Sequence, residues 1–278
     1  MKFSSNQLNR FDKHYLTTQV GLFANQPVSI LECTPLKGDA SDRKYYRLTY
    51  QLNSSPARPL STIIMQLAKI EPKPDFNAMQ KFLKDQEIPV PDIFGFDAKR
   101  GLIFLMDCGD THLADQIKTD PKNTVYWYKK AINIIVAFHT RTTEKMTADC
   151  PAKESFFDTE KLIWEMNFML EHYVKGMLGN ILNPDEENKI RQALGIVCQT
   201  LSNQDRVFTH RDYHSRNIMV YDGNLKVIDF QDARMGPCQY DLASLLKDSY
   251  IVLEDPVRKE LLEYYIESMK HVGKKIER

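Results

Sequence analysis

Three polar side chains in one stretch have the types and the spacing that a phosphoryl-transfer reaction needs. Asp212 and Asn217 lie five residues apart, and Asp229 follows twelve residues later. A sugar or alcohol hydroxyl is a poor nucleophile, so a carboxylate must accept its proton and orient it, and Asp212 is the predicted base. Mg²⁺ prefers hard oxygen ligands, which the Asn217 amide and the Asp229 carboxylate supply alongside phosphate oxygens. The set therefore predicts transfer of a phosphoryl group to a hydroxyl.

A predicted hairpin brings the two candidate metal ligands together. Residues 218–221 and 225–228 have the apolar, β-favouring character of strands, and residues 222–224 form a turn signal with a central glycine. The two ends of a hairpin meet, so Asn217 and Asp229 are expected at the same end. With Asp212 on the loop just before, all three side chains then face one ion.

Composition restricts the class of protein. The chain has 278 residues, enough for one large domain or two small ones, and its 37 basic side chains balance its 37 acidic ones. This balance produces no bulk field that would attract nucleic acid or an anionic membrane, so neither is an expected partner. No apolar run approaches the roughly 18 residues of a membrane span.

Cysteine usage and the amino terminus favour a reducing compartment. The five cysteines are odd in number and contain no Cys-x-x-Cys pair, which argues against a disulfide framework and against a zinc site. The first residues lack the apolar core of a signal peptide. We therefore expect a cytoplasmic protein, whereas no sequence feature indicates its oligomeric state.

The order of predicted elements indicates an α+β fold with two lobes. A helix near residues 5–20 precedes strands at 28–34, 44–52 and 61–67, a helix at 74–86, and strands at 92–98 and 102–107. Beyond Gly109 the apolar spacing becomes helical, with helices near 154–177, 184–201, 241–250 and 255–271. The prediction is a small antiparallel-sheet lobe at 1–108 and a larger helical lobe at 109–278, with a hinge near 108–110 and a ligand cleft between the lobes.

These motifs resemble the aminoglycoside phosphotransferase and choline kinase superfamily, whose fold is similar to that of protein kinases. In that superfamily the loop commonly reads His-x-Asp-x-x-x-x-Asn and the metal motif Asp-Phe-x-x, as residues 210–217 and 229–232 do. The unbroken string His-Arg-Asp-Tyr-His-Ser-Arg-Asn is more narrowly similar to the bacterial anomeric sugar kinases, which phosphorylate N-acetylmuramate and N-acetylglucosamine during cell-wall recycling. The resemblance implies a bilobal protein-kinase-like fold and an ATP- and Mg²⁺-dependent kinase of a small sugar.

The resemblance also implies positions for the nucleotide. Between the first two strands, where the family has its phosphate-covering loop, the chain carries Gly38, Asp39, Ala40, Ser41 and Arg43. Small residues in such a loop let backbone N–H groups approach phosphate oxygens. Adenine is expected to contact backbone groups of the hinge, at Met106, Asp107 and Cys108.

The chain departs from the family pattern in two places. Kinase-like folds place a Lys on the third strand, but residues 61–67 contain none, and Gln66 is the nearest counterpart. Gln66 carries no charge, so Mg²⁺ and another cation must neutralise the phosphates, with Arg43, Lys44 and Lys69 as candidates. At the carboxyl end family members continue through several further helices, and an incomplete acceptor pocket stays open as an interpretation.

Further residues are candidates for substrate contact. His214 and Arg216 lie between the base and the metal ligand, where one of them is expected to orient acceptor or phosphate. Asp232 is grouped with them, with contact to a second metal ion or capping of the next turn as alternatives. Trp127 and Trp164 have apolar helical neighbours and are predicted to pack in the core instead of stacking on a sugar.

These observations leave three functions open. The sugar kinase is favoured by the wording of the catalytic loop. A kinase of an aminoglycoside, choline or a similar amine would need acidic side chains around the acceptor, and the closing segment offers few. A nucleotide-binding pseudokinase is favoured by the missing strand lysine and opposed by the intact set Asp212, Asn217 and Asp229.

Overall fold

The computed structural model of the chain describes residues 12–36, 42–179 and 181–274, without the side chains of residues 56 and 57. The predicted phosphate-covering residues Gly38, Asp39, Ala40 and Ser41 lie outside the described residues, as does most of the first half of the helix predicted at 5–20. In the described part, that helix begins at Lys13, because the Asp12 side chain accepts a hydrogen bond from the Tyr15 amide and caps the first turn.

A five-stranded antiparallel sheet, in the order β1-β2-β3-β5-β4, forms the amino-terminal lobe. Its strands are β1 (Val28–Pro35), β2 (Lys44–Leu52), β3 (Ser55–Gln66), β4 (Ile93–Asp97) and β5 (Leu102–Met106). Side chains alternate between the two faces of a strand, and both faces of this sheet are covered. Helix α1 (Lys13–Ala24) packs Leu16 and Val20 on one face, and helix α2 (Asp75–Asp85) packs Phe76 and Met79 on the other.

Strand β3 begins six residues before its predicted start. Leu52 pairs with Ser55, so a tight turn joins β2 to β3 directly. Residues 55–60 were not predicted as part of a strand because they include two prolines, which disfavour strands. Of these residues, Ser55 and Leu60 pair with Leu52 and Tyr50 of β2, whereas β5 pairs with residues 62–66 of β3. A proline is tolerated where the strand has a free edge, because its missing N–H removes no ladder hydrogen bond there.

The rest of the chain is mainly helical and includes two short β-ladders. The helices are α3 (Leu113–Thr119), α4 (Thr124–Ala137), α5 (Thr159–Met169), α6 (Pro184–Ser202), α7 (Gln239–Leu246) and α8 (Asp255–His271). π-Helical segments at Phe138–Thr142 and Leu170–Met177 continue α4 and α5. The ladders pair β6 (Arg206–Thr209) with β9 (Arg234–Pro237), and β7 (Ile218–Tyr221) with β8 (Asn224–Val227). The α+β prediction is confirmed.

One hydrophobic core links the sheet to the helices. Helix α4 contributes eight buried residues to this core, among them Tyr128 and Ile135, and it packs against α8, which contributes Leu261. Phe76 of α2 stacks on Phe230, the second residue of the predicted metal motif, with ring centroids 4.9 Å apart. The metal motif is therefore fixed against the sheet lobe by apolar packing.

The core prediction for the two tryptophans is confirmed at one position and wrong at the other. Trp127 is 7% exposed, whereas Trp164 is 53% exposed. Helix α5 carries apolar residues on all sides, so periodicity does not mark its buried face, which holds Leu162.

All five cysteines are free, as the sequence predicts. Among the described residues, no helix has both the length and the apolar character that would let it cross a membrane.

Candidate active site

The loop between β6 and β7 carries Asp212 and Asn217 and closes on itself. The Asn217 side-chain Nδ2 donates to the carbonyl oxygen of Asp212 at 2.9 Å, and the Asn217 amide donates to the His214 carbonyl oxygen at 2.9 Å. These bonds hold both residues at one end of the loop, and both side chains are half-buried. The Asn217 side chain bonds to the backbone carbonyl of Asp212, so this bond does not involve the carboxylate of the predicted base.

Asp229 follows β8 and is held next to the same loop. The Ile228 amide donates to the Asn217 carbonyl oxygen at 3.0 Å, so the hairpin places Asn217 and Asp229 side by side, as its predicted turn requires. The φ angle of Asp229 is 62° and that of Arg211 is 82°. A non-glycine residue in this left-handed region raises the free energy of the folded state, and such residues occur most often at functional sites.

Gln231 joins two carboxylates of the metal motif, which the sequence analysis did not anticipate. Its Nε2 donates to Asp229 Oδ1 at 2.7 Å and to Asp232 Oδ2 at 3.3 Å. Both carboxylates are exposed and converge on one nitrogen. Two such groups around one donor provide oxygen ligands for a cation, which keeps the second-metal alternative for Asp232 open.

The donor set fits Mg²⁺. The amide nitrogen of Asn217 is committed to the Asp212 carbonyl, which turns its Oδ1 into the ligand-forming atom, and Asp229 supplies a carboxylate. The described part of the chain has no group of three or more His, Cys, Asp or Glu side chains that could hold a metal alone. Mg²⁺ in phosphoryl-transfer sites is typically held by one or two carboxylates together with substrate phosphates. Phosphate oxygens would therefore complete the coordination.

Two buried carboxylates fix the backbone of the catalytic loop. Asp241 on α7 accepts hydrogen bonds from the amides of His210 at 2.6 Å and Arg211 at 3.0 Å. Asp248 accepts one from the Ser215 amide at 2.7 Å. Backbone N–H groups would otherwise be buried without partners, so these carboxylates determine the path of the loop on both sides of Asp212. Neither of these side-chain contacts to the loop backbone was predicted from the sequence.

His210 links the catalytic loop to the metal motif. Its ring Nε2 donates to the carbonyl oxygen of Ile228 at 3.0 Å, and the ring is fully buried. Burial lowers the pKa of His210, which keeps the imidazole neutral. A buried neutral ring with this bond organises the loop and does not exchange protons with a substrate.

Replacement of Asp241 by Asn is expected to destabilise the protein in a pH-dependent way. Burial raises the pKa of Asp241 to about 7, against the two backbone donors that lower it. A carboxylic acid whose pKa is higher in the folded state than in the unfolded state stabilises the folded state while it is protonated. This contribution is complete below about pH 4 and is lost as the pH rises through about 7. Asparagine does not titrate and leaves one amide without an acceptor, at a cost of about 1–3 kcal/mol.

The measurement is the free energy of unfolding by urea between pH 4 and 8. The advantage of the wild-type protein over Asp241→Asn should decrease as the pH rises. Asp222→Asn, on the exposed turn between β7 and β8, serves as control and should not change the pH dependence. A wild-type advantage that stays constant with pH would contradict the role assigned to Asp241.

Arg47 on β2 holds the hinge that joins the sheet to the helices. Its Nε and Nη2 donate to the two carboxylate oxygens of Asp107 at 2.7 and 3.1 Å, Nη1 donates to Asp110 at 2.9 Å, and Nη2 also reaches the Gly109 carbonyl at 3.2 Å. The Asp107 side chain is only 7% exposed. It faces β2, so any contact of Asp107 with adenine falls to its backbone. The Met106 amide is already bonded to the Asp92 carbonyl at 2.8 Å, so it is not available to adenine either.

The structure does not bring Gln66 to the face of the sheet that carries α2. Gln66 pairs with Lys44, two residues from the Tyr46 and Ile64 pair that lies in the cluster covered by α1. Because side chains alternate, Gln66 lies on that face, and Met65 lies on the face of α2. The predicted counterpart of the strand lysine thus lies on the face of the sheet opposite α2.

Arg43 is close to the metal motif through Tyr45. Burial raises the pKa of Tyr45, and the Arg43 guanidinium, which donates a hydrogen bond to the phenol oxygen, opposes this rise, whereas the charge of Asp229 adds to it. Tyr45 therefore lies within electrostatic range of both a cation and a metal-ligand candidate. Among the three proposed cations, this arrangement favours Arg43.

His214 and Arg216 both contact Tyr250. The His214 ring meets the Tyr250 ring edge-on at 5.2 Å, and the Arg216 guanidinium lies 4.3 Å from its centroid. His214 Nε2 is also 3.5 Å from Asn217 Nδ2. The two side chains support the loop from the side of Tyr250, and their contact with a substrate stays a prediction.

The residue before Asp212 belongs to a cluster of polar side chains that the sequence did not predict. The Arg211 Nε lies 3.8 Å from Glu165 Oε1 of α5, and the Tyr240 hydroxyl donates to Glu165 Oε2 at 3.0 Å. Burial raises the pKa of Tyr240, and the charges of Glu165 and Asp212 add to that rise. Helix α5 is therefore anchored beside the catalytic loop.

The fold and this site define a phosphotransferase. The profile of the phosphotransferase enzyme family matches residues 32–274, and the chain belongs to this family. The predicted resemblance is thereby confirmed. An ADP-bound aminoglycoside phosphotransferase has the same fold, with a TM-score of 0.54 and 16% identity over 94% of this chain and 83% of that one.

Among curated proteins the chain is similar to two bacterial enzymes named N-acetylmuramate/N-acetylglucosamine kinase. It is 27% identical over 253 residues to that of Neisseria meningitidis, a match that covers 89% of this chain and 70% of the relative. It is 27% identical over 228 residues to that of Pseudomonas aeruginosa, a match that covers 81% of this chain and 62% of the relative. The chain thus spans about two thirds of the length of these relatives.

Proposed function

We propose that the protein transfers the γ-phosphoryl group of ATP to a sugar hydroxyl, and that the acceptor is the anomeric hydroxyl of N-acetylmuramate or N-acetylglucosamine. The observation that carries this proposal is the convergence of Asp212, Asn217 and Asp229 at one end of the loop and the hairpin. Family membership supports the phosphotransferase reaction, and the names of the two relatives support the acceptor.

In the proposed reaction Asp212 orients the acceptor hydroxyl in line with the γ-phosphoryl group and accepts its proton. Asn217 and Asp229 would hold Mg²⁺. The bound ion would neutralise phosphate charge. Asp241 and Asp248 keep Asp212 in place through the loop backbone, so the base is positioned before the substrate binds.

The nucleotide is proposed to lie between the sheet and the catalytic loop, with its base against the hinge at residues 106–108. Arg43 is proposed to replace the strand lysine as the cation at the phosphates, because Tyr45 links it to the neighbourhood of Asp229. A guanidinium supplies several N–H donors in a planar fork, which suits phosphate oxygens.

Arg47→Met is expected to weaken nucleotide binding more than catalysis. The substitution leaves the buried Asp107 carboxylate without its cation and frees the Gly109 carbonyl, so the hinge loses its fixed position. We expect the KM for ATP to rise about tenfold, equivalent to ~1.4 kcal/mol, with a smaller change in kcat. Steady-state kinetics at saturating acceptor measures both constants.

The matched control is Arg100→Met. Arg100 pairs with Asp97 before β5, at the end of that strand remote from the hinge, and it is largely exposed. This variant should keep the wild-type KM for ATP. An unchanged KM in Arg47→Met would show that the hinge does not depend on Arg47.

The function is tested by incubating the protein with ATP and Mg²⁺ against single acceptors and measuring ADP release. The panel contains N-acetylmuramate, N-acetylglucosamine, other sugars, aminoglycosides and choline. We expect turnover with the N-acetylated amino sugars. Turnover with amines alone would replace the proposal by an amine kinase, and nucleotide binding without turnover would indicate a pseudokinase.

A further inference from the structure

An exposed row of aromatic rings runs along α5 into the π-helical segment that follows it. The row, here called the α5 stripe, consists of Trp164, Phe168 and His172. Trp164 and Phe168 are each 53% exposed, and their ring centroids lie 5.6 Å apart. The rings of Phe168 and His172 are 4.1 Å apart, and the Lys161 ammonium lies 4.0 Å from the Trp164 centroid.

The α5 stripe does not contribute to the core. The buried side of α5 is formed by Leu162, which packs in a small cluster with Phe157 and Cys198. The neighbouring α6 covers another flank, where Arg191 bonds to Asn167 and to Glu171. Exposed apolar surface that is contiguous, and is bordered by charged groups, marks a binding site more often than an isolated ring does.

Glu165 connects the α5 stripe to the catalytic loop. Its carboxylate lies 3.8 Å from Arg211, the residue before Asp212, and accepts a hydrogen bond from Tyr240. On a helix, residues three and four positions apart lie on the same side, about 5–6 Å apart. Phe168 and Lys161 are such neighbours of Glu165. The stripe therefore borders the flank of α5 that faces the predicted base.

We propose that the α5 stripe is the platform on which the acceptor sugar binds. This inference rests on the proposed function and names the part of the site that selects the acceptor. The C–H groups on one face of a pyranose ring are apolar and pack on aromatic rings, whereas its hydroxyls need polar partners. Trp164 and Phe168 supply the rings, and Lys161 and Glu165 supply charged groups at their edge. A pyranose is the occupant because Glu165, on the flank of α5 that the stripe borders, contacts Arg211, the residue before the proposed base Asp212.

Kinetics of two truncations test the platform. Trp164→Ala and Phe168→Ala should each raise the KM for the acceptor sugar about three- to tenfold, as expected for loss of one ring contact. The KM for ATP should stay within about twofold of wild type, and so should kcat, because neither ring contacts the loop. The rings are half-exposed, so both variants should keep the wild-type melting temperature. Tyr126→Ala removes an equally exposed ring on α4, 52% exposed, and should change neither constant.

Tryptophan fluorescence gives a readout that does not depend on turnover. The chain has two tryptophans, of which Trp127 is 7% exposed and Trp164 is 53% exposed. In Trp127→Phe the emission comes from Trp164 alone, and titration with N-acetylglucosamine without ATP should change its intensity and wavelength. Trp164→Phe retains only the buried tryptophan and should show no such change.

The two readouts separate the inference from the proposed function. Sugar-dependent emission without phosphorylation would overturn the proposed function and support the platform. Phosphorylation with unchanged acceptor KM in both truncations and no emission change would overturn the platform alone. A change in oligomeric state of Trp164→Ala by sedimentation, with its acceptor KM unchanged, would overturn it in favour of a self-association surface. A protein that neither binds nor phosphorylates any sugar would overturn both.

Discussion

Asp212→Ala is expected to lower kcat by about two to four orders of magnitude, the range that removal of a general base produces. The carboxylate is the predicted proton acceptor for the sugar hydroxyl, and it lies on the same loop as Asn217, the predicted metal ligand. The protein should remain folded, because Asn217 bonds to the backbone carbonyl of Asp212 and not to its carboxylate. Initial rates of ADP release, with thermal melting of the same preparations, measure both effects.

Asp212→Asn is the sharper variant of this test. It retains the size and the hydrogen-bonding shape of the side chain and removes only its capacity to accept a proton, so its kcat should fall as far as that of Asp212→Ala. Asp205→Asn, an exposed carboxylate just before β6, should keep full activity. Wild-type kcat in Asp212→Asn would exclude Asp212 as the base.

Asp229→Ala is expected to abolish the Mg²⁺-dependent part of nucleotide binding. Asp229 is the carboxylate among the proposed direct ligands. Loss of a group that only supports a ligand already lowers metal affinity about 10–100-fold, so loss of a direct ligand should lower it further. We therefore expect the affinity for ADP with Mg²⁺ to fall by more than about 100-fold, down to the affinity seen without the metal. Calorimetry with ADP, in Mg²⁺ and in EDTA, measures the difference.

Asp229→Gly separates the lost carboxylate from any damage to the backbone. Asp229 has a φ angle of 62°, which glycine adopts without strain. Asp229→Gly should lose Mg²⁺-dependent binding as fully as Asp229→Ala and remain more stable to heat. Unchanged Mg²⁺-dependent binding in either variant would show that the metal is held elsewhere.

The sequence predicted that Asp212, Asn217 and Asp229 lie together because their geometry is local. Asp212 and Asn217 share one loop, and a hairpin of known length connects Asn217 to Asp229, so spacing and turn chemistry placed all three. Most helices and strands were predicted for the same reason. The exceptions are the start of β3, both ends of α1, helix α3 and the short strands β6 and β9. The lobe boundary near 108 stays a prediction, although Arg47 shows how strongly the hinge is tied to the sheet.

The supporting contacts could not be predicted because they join distant parts of the chain. Arg47 meets Asp107 across 60 residues, and Tyr240 meets Glu165 across 75, with no local pattern that marks either pair. The face of the sheet on which Gln66 lies could not be predicted, for another reason. A shift of one residue in a strand moves a side chain to the opposite face, and the sequence predicted a strand around Gln66 without showing which face Gln66 lies on.

The central claim is transfer of phosphate to an anomeric hydroxyl by the site at Asp212, and ³¹P NMR of the reaction products tests it most directly. Wild-type protein with ATP, Mg²⁺ and N-acetylmuramate or N-acetylglucosamine should give a phosphomonoester resonance coupled to the anomeric proton. The same mixture with Asp212→Asn, incubated for the same time, should show only the phosphorus resonances of ATP. Absence of the resonance with wild-type protein and both sugars, or equal resonances from both proteins, would contradict the claim.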